Sequence, residues 1–168
     1  MSIPTQLQRL ADGIGAAVAL SADDMARGIR AALHEATAGE RWLPSERRRA
    51  NHERYARHLL YGDPAGRFSI LSLVWDHGQE SPVHGHHTWC AVGVYDGILT
   101  ETLYREQNDG QAPLQIGAEQ RATGSLSFDP PHSAIHRIGN ASGAVAVSLH
   151  VYGVAADRIS TGVNRVYT

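Results

Sequence analysis

The sequence predicts a mainly β fold, an antiparallel sandwich or barrel with N-terminal α-helices packed against it. From Gly62 onward, short runs rich in Val, Ile, Leu and aromatic residues are separated by Gly, Pro, Asp and Asn, a pattern typical of short strands. Before that point, apolar residues recur at helical spacing. The chain of 168 residues has the length of one domain, 1–168. We divide it into a helical segment over 1–60 and a β-barrel over 61–168.

The helical segment is expected to contain three helices. The apolar face of the first consists of Leu7, Leu10, Ile14 and Val18. The second begins at Ser21, because Ser21 and Asp24 are spaced as a capping box, and it ends before Gly39. A third helix is expected over 44–60.

Six runs in the second part are predicted to be strands. They are 68–75, 89–95, 98–104, 126–128, 134–138 and 144–152. Short strands at this spacing, without helices between them, favour antiparallel pairing in a sandwich or barrel.

The composition excludes several classes of function. Charged residues make up 19% of the chain and its net charge is −2, so neither a disordered chain nor a nucleic-acid-binding surface is expected. All 15 basic residues are arginine, which excludes lysine Schiff-base chemistry and a P-loop. The single cysteine, Cys90, excludes an internal disulfide and a CxxC zinc site. With no visible targeting signal and no apolar run of about 20 residues, we expect a soluble cytoplasmic protein. We expect it to bind no membrane and to be a monomer or a weak homo-oligomer.

Histidine is the unusual component of the sequence, with ten residues. His84 and His86 stand two apart, so on an extended segment over 83–88 both imidazoles point to the same face. Two neutral imidazoles on a rigid strand are a candidate pair of metal ligands. His87 has the opposite phase and is expected to be a surface or packing residue.

The spacing around this pair matches a known motif. Gly78 is followed by five residues, His84-Gly85-His86, three residues, Cys90, six residues and Gly97. This run resembles the first motif of the cupin superfamily, with Cys90 in the position of a glutamate ligand. Glycine suits the tight connections that flank a ligand-bearing strand.

A second block resembles the second cupin motif. Gly124 is followed by five residues and Pro130, and then by His136 and Asn140. The match is looser, because His132 replaces a glycine and His136 lies one residue late. The resemblance implies a cupin barrel, also called a double-stranded β-helix or jelly roll, in which His136 joins the first pair as a third metal ligand.

Three neutral histidines leave up to three positions free on an octahedral metal. That arrangement suits Fe(II) holding both a substrate and O₂, although the usual non-haem iron triad has two histidines and a carboxylate. Zinc with three histidines and a water is the competing interpretation. A zinc or manganese isomerase or hydrolase therefore stays open, as does a ligand-binding cupin without catalytic activity.

Further segments resemble the thiol dioxygenases, the family of cysteine dioxygenase and 3-mercaptopropionate dioxygenase, in which three histidines form the ligand set. The segments that follow the family's order are 54–57, 66–69, 74–75, 81–84, 135–140 and 148–152. The resemblance implies an oxidoreductase of cysteine catabolism, with Fe(II) as cofactor. Such an enzyme binds a small thiol as its thiolate and uses O₂ to oxidise it to a sulfinate.

Ser148, His150 and Tyr152 alternate along one predicted strand and therefore share a face. If buried, each needs a hydrogen-bond partner and can supply one to the next. The resemblance implies a relay beside the iron, with the Tyr152 hydroxyl close to the substrate. The alternative is an exposed face on which these residues are incidental.

Cys90 has two interpretations. It is either a small buried apolar residue or a partner in a covalent bond. In animal cysteine dioxygenases a cysteine at the corresponding position forms a thioether with the relay tyrosine, so the resemblance also implies a candidate Cys90–Tyr152 crosslink.

The carboxylate of the substrate needs a cation, and arginine is its natural bidentate partner. The resemblance places Tyr55 and Arg57 at the substrate, and this arginine favours L-cysteine. The mercaptopropionate branch draws its carboxylate-binding arginine from near the C-terminus, where Arg158 and Arg165 are candidates. We include Arg165 among the predicted substrate residues and keep 3-mercaptopropionate, or another mercapto-acid, as the alternative substrate.

Overall fold

The computed structural model of the chain describes residues 4–108 and 110–167. The strands of this part are β1 (Ala56–Gly62), β2 (Ser69–Trp75), β3 (His84–His86), β4 (Cys90–Asp96), β5 (Ile98–Arg105), β6 (Leu114–Ala122), β7 (Leu126–Asp129), β8 (Ile135–Gly139), β9 (Ala146–Tyr152) and β10 (Asn164–Val166). They form two five-stranded antiparallel sheets, ordered β1-β2-β9-β4-β7 and β10-β3-β8-β5-β6. Apolar side chains from both sheets meet in one core. The predicted mainly β fold is confirmed.

The two long helices, α1 (Thr5–Ala17) and α2 (Ala22–Ala38), pack on the outer face of the first sheet. The other helical elements are α3 (Ile159–Gly162) and two 3₁₀ turns, Ser45–Arg47 and Ala156–Arg158. The Ser21 side chain accepts a hydrogen bond from the backbone N–H of Asp24, and Gly39 ends α2, so the predicted second helix is confirmed. Among the described residues, no helix combines the length and apolar character that crossing a bilayer requires.

The third predicted helix, over 44–60, is wrong. This stretch contains one 3₁₀ turn and then most of β1, which pairs with β2. All seven residues of β2 are buried, so its backbone needs hydrogen-bonding neighbours on both sides, and β1 supplies one of them. Strands β6 and β10 were also not predicted, because most of their residues are exposed and neither strand contains a continuous apolar run.

The first sheet is buried on both faces, which explains why β9 is buried along its whole length. Val147, Leu149 and Val151 pack in the cluster that includes the helices. The intervening residues of β9 point between the two sheets, where Tyr152 packs against side chains of the second sheet. This alternation directs the three polar residues of β9 into the interior.

Two connections have backbone conformations that favour glycine. Gly97, between β4 and β5, has a φ of 86°, and a Cβ atom there would lie 3.0 Å from Ala146. His132 has a φ of 58°, in the left-handed region, at the position where the cupin motif has glycine. Its backbone N–H donates to the His86 carbonyl (3.0 Å). The loop before β8 is thereby held against β3.

Candidate metal centre

The structure brings the three predicted metal ligands together. His84 and His86 lie on β3, and His136 lies on β8 directly opposite His84. The three rings have centroids 4.7 to 5.1 Å apart, and one nitrogen of each lies within 4.8 Å of the others. All three side chains are buried, whereas His87 is exposed, as expected from its opposite phase.

Hydrogen bonds orient two of these rings. The Nδ1–H of His84 donates to the Pro82 carbonyl (2.9 Å), and the Nδ1–H of His136 donates to Oε1 of Glu101 (2.7 Å). With Nδ1 protonated, each Nε2 carries a lone pair. Nε2 of His136 is buried without a hydrogen-bond partner among the described residues. A metal ion would satisfy this acceptor, so the donor set fits a divalent metal.

The site also favours neutral imidazoles. Burial, with the neighbouring His136, lowers the pKa of His84 to about 4. Burial together with His84 and His136 lowers the pKa of His86 to about 3. Both rings are therefore neutral at pH 7, which is the form that binds metal.

Beside the histidines lies a buried hydrogen-bonded row. Oγ of Ser148 lies 2.9 Å from Nε2 of His150, and the Tyr152 hydroxyl lies 3.0 Å from Nδ1 of the same ring. These three side chains belong to residues that are at most 5% exposed, so the interpretation of an exposed, incidental face is wrong. Trp75 Nε1–H donates to the Ser148 oxygen (3.0 Å). This role of Trp75 was not predicted from the sequence.

A narrow cavity connects the histidines and this row. Residues of both sheets line it, together with Tyr55, which directly precedes β1, and Arg57 on β1. The space open to the centre of a water molecule is about 20 Å³. The ring of Tyr55 stacks on Trp75 at 4.4 Å. Arg57 is exposed at the cavity wall, and among the described residues no carboxylate pairs with its guanidinium. The cavity as it stands thus has space for about one water molecule, with the Arg57 guanidinium at its side.

Comparison with known proteins decides the family. Residues 25–161 match the cysteine dioxygenase type I family. The chain belongs to this family. Cysteine dioxygenase type 1 of Danio rerio is 30% identical over 105 residues, which are 59% of this chain and 51% of that protein. The chain spans about half the length of the curated relatives it matches.

Solved structures share the fold of this cysteine dioxygenase family member. A Klebsiella pneumoniae protein with a double-stranded β-helix domain aligns with a TM-score of 0.54 and 14% identity, covering 77% of this chain and 99% of that one. A cupin superfamily protein from Desulfitobacterium hafniense aligns with a TM-score of 0.50 and 16% identity, covering 69% and 93%. The predicted cupin fold is confirmed.

The structure does not bring the C-terminal arginines of this family member to the cavity. On β10, Asn164 lies opposite His86 and Arg165 lies opposite Gly85. Alternation therefore directs Asn164 into the cavity and Arg165 to the other face, where it pairs with Glu106 (2.8 Å). Arg158 is exposed and is absent from the lining as well. The prediction that Arg165 lies at the substrate is therefore wrong.

Cys90 and Tyr152 are direct cross-strand partners on β4 and β9. Both side chains are buried and line the cavity. Burial raises the pKa of the Cys90 thiol and, together with the neighbouring Cys90, that of the Tyr152 phenol. Both groups are therefore protonated at neutral pH.

Acid is expected to destabilise the metal-free protein between about pH 6.5 and pH 4. An imidazole with an ordinary pKa of 6.5 is protonated in this range in the unfolded chain, whereas His84 and His86 stay largely neutral in the folded protein. Since the unfolded state binds more protons, the free energy of unfolding falls as the pH falls. The slope is about 1.4 kcal/mol per pH unit for each such histidine. Urea unfolding of chelator-treated protein from neutral to acidic pH measures this slope, and a flat profile contradicts the prediction.

Proposed function

We propose that the protein is a non-haem Fe(II) thiol dioxygenase that oxidises a small, carboxylate-bearing thiol to its sulfinate. L-cysteine is the favoured substrate and 3-mercaptopropionate the alternative. The observation that carries the proposal is the convergence of three buried imidazoles beside the buried row Ser148, His150 and Tyr152, in a chain of the cysteine dioxygenase type I family.

The residues that would hold iron are His84, His86 and His136. Three protein ligands would leave positions on the metal for a substrate and O₂. When bound, iron would supply the redox chemistry that transfers both atoms of O₂ to the substrate sulfur. The protein contributes the placement of the reactants and the charges around them.

Arg57 would hold the carboxylate of the substrate. A guanidinium can donate two parallel hydrogen bonds to a carboxylate, and Arg57 lines the same cavity as the three imidazoles. The stacked rings of Tyr55 and Trp75 form a rigid wall beside it. A thiol that carries a carboxylate a few bonds away would therefore bind in one orientation.

The buried row would direct a proton donor at the substrate. The Ser148 oxygen accepts the Trp75 N–H, so the Ser148 hydroxyl is free to donate to Nε2 of His150. Nδ1 of His150 then carries the proton and donates to the Tyr152 oxygen. The hydroxyl proton of Tyr152 is left free to donate into the cavity. This order satisfies each member of the row.

An oxygen-electrode assay of iron-loaded protein with a panel of thiols tests the proposal. Uptake of O₂ with L-cysteine, together with formation of its sulfinate, is expected. A larger rate with 3-mercaptopropionate would reassign the substrate within the same reaction. No uptake with any small thiol would contradict the function. Metal analysis of protein purified without added metal distinguishes an iron enzyme from a zinc or manganese cupin.

A thioether between Cys90 and Tyr152 is expected to form during turnover. Residues directly opposite on antiparallel strands have Cβ atoms about 4.5–5.5 Å apart and side chains on the same face, and both Cys90 and Tyr152 line the cavity. The bond would join Sγ to the ring carbon next to the hydroxyl-bearing carbon, with loss of one hydrogen from each and O₂ as the two-electron acceptor. Intact-mass measurement should show a species lighter by two hydrogen atoms after aerobic turnover, absent in Cys90→Ala. An unchanged mass after many turnovers contradicts it.

A further inference from the structure

Behind His136, on the side away from the cavity, lies a buried carboxylate. Oε1 of Glu101 accepts the Nδ1–H of His136 at 2.7 Å, and the glutamate side chain is only 7% exposed. Its other oxygen, Oε2, accepts from Nε (3.0 Å) and lies 2.9 Å from Nη2 of Arg121. Arg121 in turn pairs with Glu119 at the surface (3.0 Å). The four side chains form one continuous row from solvent to a predicted metal ligand.

The predicted ligands His84 and His136 therefore differ in the group that accepts the hydrogen bond from Nδ1–H. His84 donates its Nδ1–H to a neutral backbone carbonyl, that of Pro82, whereas His136 donates to a carboxylate. A carboxylate raises the basicity of the imidazole that it accepts from and fixes its tautomer and orientation. The two-point contact with Arg121 keeps the Glu101 carboxylate from rotating away.

The negative charge of Glu101 determines how this contact would affect a bound metal. Three neutral imidazoles add no negative charge to a divalent metal, unlike a ligand set that contains a carboxylate. Glu101 is almost fully buried, so its carboxylate acts more strongly on a metal bound to His136 than it would in water, and Glu119 offsets part of the Arg121 charge that pairs with it. Glu101 reaches His136 because β5 directs its side chain inward. On the neighbouring strand β8, Glu101 lies opposite Ile138, two residues from His136.

We propose that Glu101 is a positioning residue that supplies, through His136, the negative charge that the three-histidine set lacks. The inference rests on the proposed function for the identity of the metal. Its test uses binding of Co²⁺ alone and so does not depend on thiol oxidation.

Glu101→Gln keeps an oxygen that can accept from His136 and removes the charge. We expect its affinity for Co²⁺, measured by competition with a chromophoric chelator, to fall roughly 10–100-fold. Glu119→Gln makes the same chemical change on the other side of Arg121, without contact with His136, and is expected to keep the wild-type affinity. Urea unfolding of both metal-free variants shows whether they fold as the wild type does.

Equal affinities of Glu101→Gln and the wild type would overturn the inference, as would equal losses in both variants. Wild-type protein that binds no Co²⁺ would instead contradict the metal centre and with it the proposed function.

A measurement on the wild type alone keeps the inference testable if Glu101→Gln does not fold. In Zn²⁺-loaded protein, we expect the Nδ1–H proton of His136 to resonate further downfield than that of His84, because its acceptor is charged. Equal chemical shifts of the two protons would overturn the inference.

Discussion

His136→Ala is expected to abolish metal binding and, with it, thiol-dependent uptake of O₂. This substitution removes the ligand contributed by β8 and leaves two imidazoles, both on β3. Two ligands from one strand would hold a metal far more weakly than three ligands from two strands. Loss of a residue that only hydrogen-bonds a ligand costs about 10–100-fold in metal affinity, so loss of the ligand itself should cost at least about 100-fold. Metal content by elemental analysis and O₂ uptake measure the two effects.

The control for His136→Ala is His87→Ala, which removes an exposed imidazole next to the same strand. It should keep both metal and activity. Full metal content in His136→Ala would show that the metal is held elsewhere and would contradict the metal centre described above.

Arg57→Ala is expected to weaken substrate binding while metal content stays normal. Hydrogen bonds to charged groups contribute about 1.5–3 kcal/mol, so the KM of a carboxylate-bearing thiol should rise roughly 10–150-fold. Arg57 lies on β1, in a different sheet from the strands β3 and β8 that carry the three predicted ligands, and it is not itself a predicted ligand, which is why the metal should be retained. Steady-state O₂ uptake with L-cysteine measures the KM.

Two comparisons make the Arg57 test specific. Arg54→Ala removes a neighbouring arginine that lines the open depression outside the cavity and is not part of the cavity lining, and it should leave the KM unchanged. Cysteamine, a thiol without a carboxylate, should be oxidised with similar KM values by the wild type and by Arg57→Ala. An unchanged KM for L-cysteine in Arg57→Ala would mean that another residue holds the carboxylate.

Local patterns predicted much of this fold and site. The capping residues of α2 and the apolar runs of β2, β4 and β9 are short-range signals, and they placed these elements within a few residues. The alternation of His84 and His86, and of Ser148, His150 and Tyr152, predicted shared faces because a strand has a period of two.

The features that the sequence did not predict depend on contacts between distant segments. Strand β1 exists because β2 needs a neighbour, and the local sequence over 44–60 does not show this. The direction of Arg165 follows from the register of β10 against β3. Glu101 offered one unused signal, since it stands between Leu99 and Leu103 in the inward phase of β5, where an acidic residue needs a partner.

The two faces of strand β9 have different roles. Val147, Leu149 and Val151 pack in the cluster that includes the helices, whereas the residues between and after them form the hydrogen-bonded row. A slip of one residue between β9 and its neighbours would exchange the two sets, burying polar groups under α2 and emptying the interior of its proton donors. Chemistry and folding are thus inseparable along this segment, because a sheet assembled in the wrong register would carry no usable active centre.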